Sequence, residues 1–92
     1  MPTVPVTIPA LLQDCVGGRR EVTVSADRLD SAIEAVRAQF PLLRPHVWDD
    51  AGVLRKHVLI FYNDTPLRWL ERLDLPLHPG DRLTIIQAIS GG

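Results

Sequence analysis

Apolar and polar positions alternate along residues 3–8, with Val4, Val6 and Ile8 on one side. A period of two belongs to a half-buried strand. Pro5 falls on the opposite phase and removes one ladder donor, so the strand should lie at a margin or lack a partner there. Residues 9–16 lose the alternation and leave room for one helical turn before the turn signal Gly17-Gly18. Residues 20–25 alternate again, with Val22 and Val24 inward, so the two strands make an opening hairpin with a long connection.

The pattern then changes period. Leu29, Ile33, Val36 and Phe40 recur at the spacing of one face of a 3.6-residue helix. Ser25 or Asp27 can cap its start through a side-chain oxygen. Asp30 and Glu34 sit early, where the helix dipole favours negative charge, and Pro41 stops the helix at Phe40.

Residues 42–54 read as irregular, broken by Pro45 and closed by the turn Asp49-Asp50-Ala51-Gly52. Residues 57–62 are a strand rich in β-branched and aromatic side chains. Asn63-Asp64 is a turn, and residues 65–77 hold a short element around Trp69 and Leu70. Pro79-Gly80-Asp81 turns the chain into a last strand, residues 82–88. A hairpin, one helix and returning strands predict an α+β domain with a mixed sheet packed on one helix.

Composition narrows the function classes. Ninety-two residues make one domain, and 46% hydrophobic content suits a globular core. Ten basic against 11 acidic residues give a net charge of −1 and no electrostatic case for nucleic acid or an anionic membrane. No apolar run approaches the ~20 residues of a membrane span. The start, Met-Pro-Thr-Val-Pro-Val, lacks the charged and apolar regions of a signal peptide, so the cytoplasm is the expected location.

The informative chemistry is at the other end, where the sequence closes on Ser90-Gly91-Gly92. A terminal Gly-Gly arises by chance in about 0.5% of chains at glycine usage near 7%, so the pair takes its weight from what precedes it. It follows an apolar strand, itself preceded by Pro79-Gly80-Asp81.

On these residues the chain resembles the ThiS/MoaD/CysO family of ubiquitin-like sulfur carriers. The resemblance covers nearly the whole length. It is carried by the strand from Val58 to Asp64 ending in Asn-Asp, by Leu77-His-Pro-Gly-Asp-Arg-Leu-Thr-Ile-Ile, and by Ala88-Ile-Ser-Gly-Gly. The opening Thr7-Ile8-Pro9-Ala10-Leu11-Leu12 followed by Gly17-Gly18 looks most like the CysO-type branch, which serves cysteine synthesis. Gln87 departs from the proline of many relatives, and Ser90 from their alanine or threonine.

The resemblance implies a ubiquitin-like β-grasp fold, a sheet of four to five strands packed on one main helix, occupying residues 1–88, with a Gly-Gly tail at 89–92. It implies a protein cosubstrate rather than an enzyme, with no catalytic residue, no permanently bound cofactor and no metal. A ubiquitin-activating-like adenylyltransferase and sulfurtransferase would use ATP to adenylate the Gly92 carboxylate. Sulfur attack would leave a thiocarboxylate for a downstream synthase making cysteine, thiamin, molybdopterin or another sulfur-containing metabolite. The same activated carboxylate would serve a protein modifier joined to target lysines, or the small subunit of a molybdopterin-synthase-type complex.

The physical logic agrees. A carboxylate is a poor electrophile, and a mixed anhydride with AMP divides one hard step into two easier ones. This chain carries no Gly-rich phosphate loop, so the nucleotide must come with the partner. Ile89, Ser90 and Gly91 would lead Gly92 into a narrow partner site. Without Cβ atoms, Gly91 and Gly92 allow close backbone approach.

Docking needs a surface as well. If Val58, Ile60 and Tyr62 face the helix, Leu59 and Phe61 face out. If Leu83 and Ile85 face in, Ile86 faces out. Leu59, Phe61 and Ile86 would then form one apolar patch for the activating partner.

The remaining chemistry-bearing residues point to structure. Cys15 is alone, so no intrachain disulfide is possible, and it reads as inert. His46, His57 and His78 are scattered without metal-ligand spacing. Asp49-Asp50 reads as a solvated turn, and Trp48 and Trp69 as covers for the core edges, with Trp69 partly exposed.

Overall fold

The computed structural model describes residues 1–87. Strands β1 (Thr3–Thr7) and β2 (Glu21–Ser25) form the expected antiparallel hairpin, with Val4 opposite Val24 and Val6 opposite Val22. Their connection is a 3-10 helix of seven residues, Ala10–Val16, longer than the single turn expected. Runs of that length are uncommon because their hydrogen bonds are poor. Here Leu12 and Val16 are buried and tie the segment to the core. Gly17 ends it in the left-handed region, at φ 72°, where a Cβ would be strained.

Three more strands complete the sheet: β3 (Val58–Tyr62), β4 (Thr65–Pro66) and β5 (Leu83–Gln87), in the order β2-β1-β5-β3-β4. β5 runs parallel to β1 and antiparallel to β3, so the sheet is mixed. The phase of β1 explains how a central strand tolerates proline. The Ile8 N–H donates to Arg20, and the Pro2 carbonyl accepts from Ala26, so even-numbered residues turn their backbone groups toward β2. Pro5 therefore turns its missing donor toward β5, whose ladder begins only at Val6 opposite Leu83.

Helix α1 (Leu29–Gln39) packs across one face of this sheet. Its Leu29, Ala32 and Val36 are buried in one cluster with Val4, Val6, Val22, Val24, Val58, Ile60, Leu83 and Ile85. The expected cap is different: neither Ser25 nor Asp27 caps the helix, and Arg28 holds the cap position without a side-chain bond. The open N–H groups donate instead to distant carbonyls, Leu29 to Leu75 at 2.9 Å and Asp30 to Leu73 at 2.8 Å.

Residues 42–54 are more ordered than the sequence suggested. A 3-10 turn, Pro41–Leu43, runs into helix α2 (Arg44–Val47), where Pro45 sits in the first turn and needs no donor. Leu43, Val47 and Trp48 join the core, and the Arg37 guanidinium lies 5.2 Å from the Trp48 ring. Trp69 is more exposed than an edge cover would be. It lies in a 3-10 turn, Leu67–Trp69, and is 78% exposed.

Candidate functional site

The site begins with the pleat of β3 and β5. Val58, Ile60, Leu83 and Ile85 are buried on the helix side. Alternation then puts Leu59, Phe61, Thr84 and Ile86 on the opposite face. Leu59 stands directly opposite Ile86, and Phe61 opposite Thr84. Leu59 and Ile86 are thus cross-strand neighbours, and Phe61 meets Ile86 on the diagonal, within aromatic reach. Leu59 and Phe61 are half-buried, whereas Ile86 is 42% exposed. An open depression of about 240 Å³ lies here, lined by Phe61, Asn63, Asp64, Arg82, Thr84 and Ile86.

The polar rim of this depression went unread in the sequence. Arg82 donates to Asp64 at 3.0 Å, and the Arg82 N–H donates to the Asn63 side-chain oxygen at 3.0 Å. Asn63 takes φ 54°, a left-handed turn position that asparagine tolerates.

Asp81 locks this turn from beneath. It accepts from the Tyr62 hydroxyl at 2.8 Å, the Asn63 amide at 3.1 Å and the His78 backbone N–H at 2.9 Å. Burial alone would raise the Asp81 pKa. The hydrogen bonds from His78, Tyr62 and Asn63 outweigh it, and the carboxyl titrates below its ordinary value. Tyr62 is pushed up, first by burial and then by its bond to the Asp81 carboxylate. The faint signal in the sequence was the pairing of two turn motifs, Asn63-Asp64 and Pro79-Gly80-Asp81, at matched strand ends. β5, which leads toward residues 88–92, is therefore pinned at its start.

Ile89, Ser90, Gly91 and Gly92 lie outside the described residues, as does Ala88 at the expected end of β5. Cys15 is half-buried against the core, beside residues that only pack. His46, His57 and His78 are exposed, on different elements. Among the described residues, no group of three His, Cys, Asp or Glu side chains is placed to hold a metal ion. No helix among them is long and apolar enough to cross a membrane.

A mixed sheet with parallel β1 and β5 at its centre, folded around one helix, defines the chain as a ubiquitin-like β-grasp domain. The ThiS family profile matches residues 6–92, and the chain belongs to that family. The sulfur carrier protein CysO of Mycobacterium tuberculosis is 32% identical over 91 residues, covering 97% of this chain and 98% of the relative. The crystal structure of Mycobacterium tuberculosis CysO superposes with a TM-score of 0.77 at 31% identity, over 94% of this chain and 99% of that one. A chain of the Amycolatopsis orientalis BexX/CysO complex gives 0.78 at 26% identity, over 97% and 99%. SAMP1 of Haloferax volcanii gives 0.77 at 26% identity, over 98% and 99%.

Proposed function

We propose that this chain is a sulfur carrier protein whose working group is the Gly92 carboxylate. The observation that carries this is its end-to-end match to a curated sulfur carrier, within a family profile that extends through Gly91-Gly92. In this account residues 1–88 serve as the β-grasp domain and 89–92 as the tail that enters partner sites. An activating enzyme of the ubiquitin-activating type adenylates Gly92 with ATP. A sulfur nucleophile displaces AMP, and the resulting thiocarboxylate delivers sulfur to a biosynthetic synthase. The chain is a cosubstrate in the cytoplasm and supplies no catalytic group.

The Leu59, Phe61 and Ile86 face, with Arg82 and Asp64 at its rim, is the proposed docking surface for the activating enzyme. Apolar side chains give it contact area, and the charged rim gives it orientation. A related solved assembly pairs CysO with BexX, which supports a carrier that works by docking.

Cys15 is the chain's only thiol, which gives a direct test. A Cys15→Ser version, purified from the native host, should still be alkylated by iodoacetamide when it carries a thiocarboxylate. The label should vanish on deletion of Gly92. Absence of any label under sulfur-demanding growth would refute the proposal. The likeness to SAMP1, a small archaeal modifier protein, favours one alternative: conjugation of Gly92 to lysines of other proteins. Branched lysine adducts in place of label would identify that role.

A further inference from the structure

The chain's ten basic residues are nine arginines and one lysine, Lys56. That ratio matters to a protein whose C-terminus becomes an activated acyl group. A guanidinium stays protonated and does not attack acyl groups, whereas a lysine amine does so in its neutral form. Lys56 is therefore the only side-chain amine within this protein that the activated Gly92 carbonyl can meet.

The sheet register puts that amine close to where the tail leaves. Gln87, the last residue of β5, pairs with Val58, two residues after Lys56. Paired Cα atoms lie ~5 Å apart, and two residues of chain add at most ~7 Å. Five residues, 88–92, follow Gln87, and covalent geometry lets them span up to ~17 Å. The reach exceeds the gap even before the lysine stem is counted. The competing amine, at Met1, fails the same arithmetic. Pro2 is tied to Ala26, and β1 is parallel to β5 with Val6 opposite Leu83. Eight residues of strand therefore separate Pro2 from Gln87, about 26 Å.

Lys56 is also well presented. It is exposed and, with Asp49, Val53, Leu54, Arg55 and His57, lines an open recess of about 430 Å³. The chain just before it is held at Arg55. Arg55 donates to the Pro45 carbonyl at 2.8 Å, and Arg68 donates to the Arg55 carbonyl at 2.7 Å. Val53 and Leu54 give this recess an apolar wall that suits the Ile of a tail reading Ile-Ser-Gly-Gly.

We propose that Lys56 is a self-modification site that captures the activated Gly92 acyl group of its own chain. The inference rests on the carrier reading. The neutral Lys56 amine attacks the Gly92 carbonyl and forms a C–N bond. The acyl–oxygen bond to AMP breaks, AMP leaves with the electron pair, and the new ammonium releases a proton to water. The product is a closed lariat, lighter than the free chain by one water. It can take up no sulfur, so prompt sulfur attack is what keeps the carrier open. Closure in cis is favoured because a short tether gives a high effective concentration.

The test makes the activated carboxyl chemically, so that it does not depend on any activating enzyme. The chain is prepared as an intein-derived thioester of mercaptoethanesulfonate at Gly92, in a Cys15→Ser background so that no thiol competes. It is held at mildly alkaline pH and followed by intact and tryptic mass spectrometry. The expected product has the mass of the chain less one water and a cross-linked fragment joining Gly92 to Lys56. Its rate should be independent of protein concentration, and Lys56→Arg should abolish it and leave hydrolysis alone. Equal hydrolysis in both versions, linkage at Met1, or dimers alone would each overturn the proposal. None of those outcomes bears on whether a thiocarboxylate forms in cells, so the carrier reading stands or falls separately.

Discussion

The Tyr62 hydroxyl donates to the Asp81 carboxylate across 2.8 Å and joins the end of β3 to the turn that starts β5. The same carboxylate holds Asn63 and the His78 N–H, so one half-buried acid closes three connections at the head of the strand that leads to the tail. Its pKa is lowered, so its contribution to stability is fully present above the ordinary value of 3.8. That contribution is lost as pH falls through the lowered folded-state value. Tyr62 has the opposite sign: its pKa is raised above 10.0, and its contribution is lost as pH climbs through that raised value. Tyr62→Phe should cost about 1.5–3 kcal/mol, as for a hydrogen bond to a charged group. Asp81→Asn should flatten the acid limb of stability, read as urea midpoints at pH 3 and pH 7.

Phe61 lies on the outer sheet face and lines the depression beside Ile86. Phe61→Glu should fold with a loss of less than about 1 kcal/mol, since it leaves the core cluster intact. It should slow adenylation by the activating enzyme by roughly 30-fold or more, the scale of a lost aromatic anchor. Thermal denaturation paired with pyrophosphate release separates the two effects. Normal folding with a wild-type adenylation rate would exclude this face as the docking surface.

Gly91→Val adds a branched side chain next to the reacting carboxylate. Stability should not change. Adenylation should fall by ~100-fold, the order associated with a misplaced reacting group. The same assay reports it, with Leu42→Ala as a surface control because Leu42 is 64% exposed.

Leu29 is the anchor of the helix and has no exposed surface. Leu29→Ala should cost ~2–5 kcal/mol, against less than about 0.5 kcal/mol for Leu42→Ala. Chemical denaturation measures both. A small loss at Leu29 would contradict the core assignment.

Alternation exposed β1, β2, β3 and β5 in the sequence because each buries one face only, and the 3.6 period exposed α1 for the same reason. The turns at Gly17-Gly18, Asp49-Gly52 and Pro79-Asp81 were legible from residue chemistry. The helix cap was not. It is made by the carbonyls of Leu73 and Leu75, which share no local pattern with Leu29 and arrive only through the fold. α2 was hidden because Pro45 reads as a breaker unless its place in the first turn is known. Trp69 lies further out than its bulk suggests, because the 3-10 turn directs it outward.

The tail motif was legible as chemistry, and the facing of β3 and β5 followed from period two. The Asp81 bonds to Tyr62 and Asn63 and the Arg82–Asp64 rim were not legible, since they join groups 18 or 19 residues apart across a sheet register. The register also placed Lys56 beside the exit of β5, a relationship that composition hinted at only through the single lysine.

The central claim is that Gly92 carries sulfur. Intact-protein mass spectrometry of the chain from its native host, without acidic or reductive work-up, tests it most directly. The account predicts a species heavier by one oxygen-to-sulfur exchange, mapped to Gly92 and absent when Gly92 is deleted. Unmodified protein alone under every sulfur-demanding condition, or branched lysine adducts in its place, would contradict it.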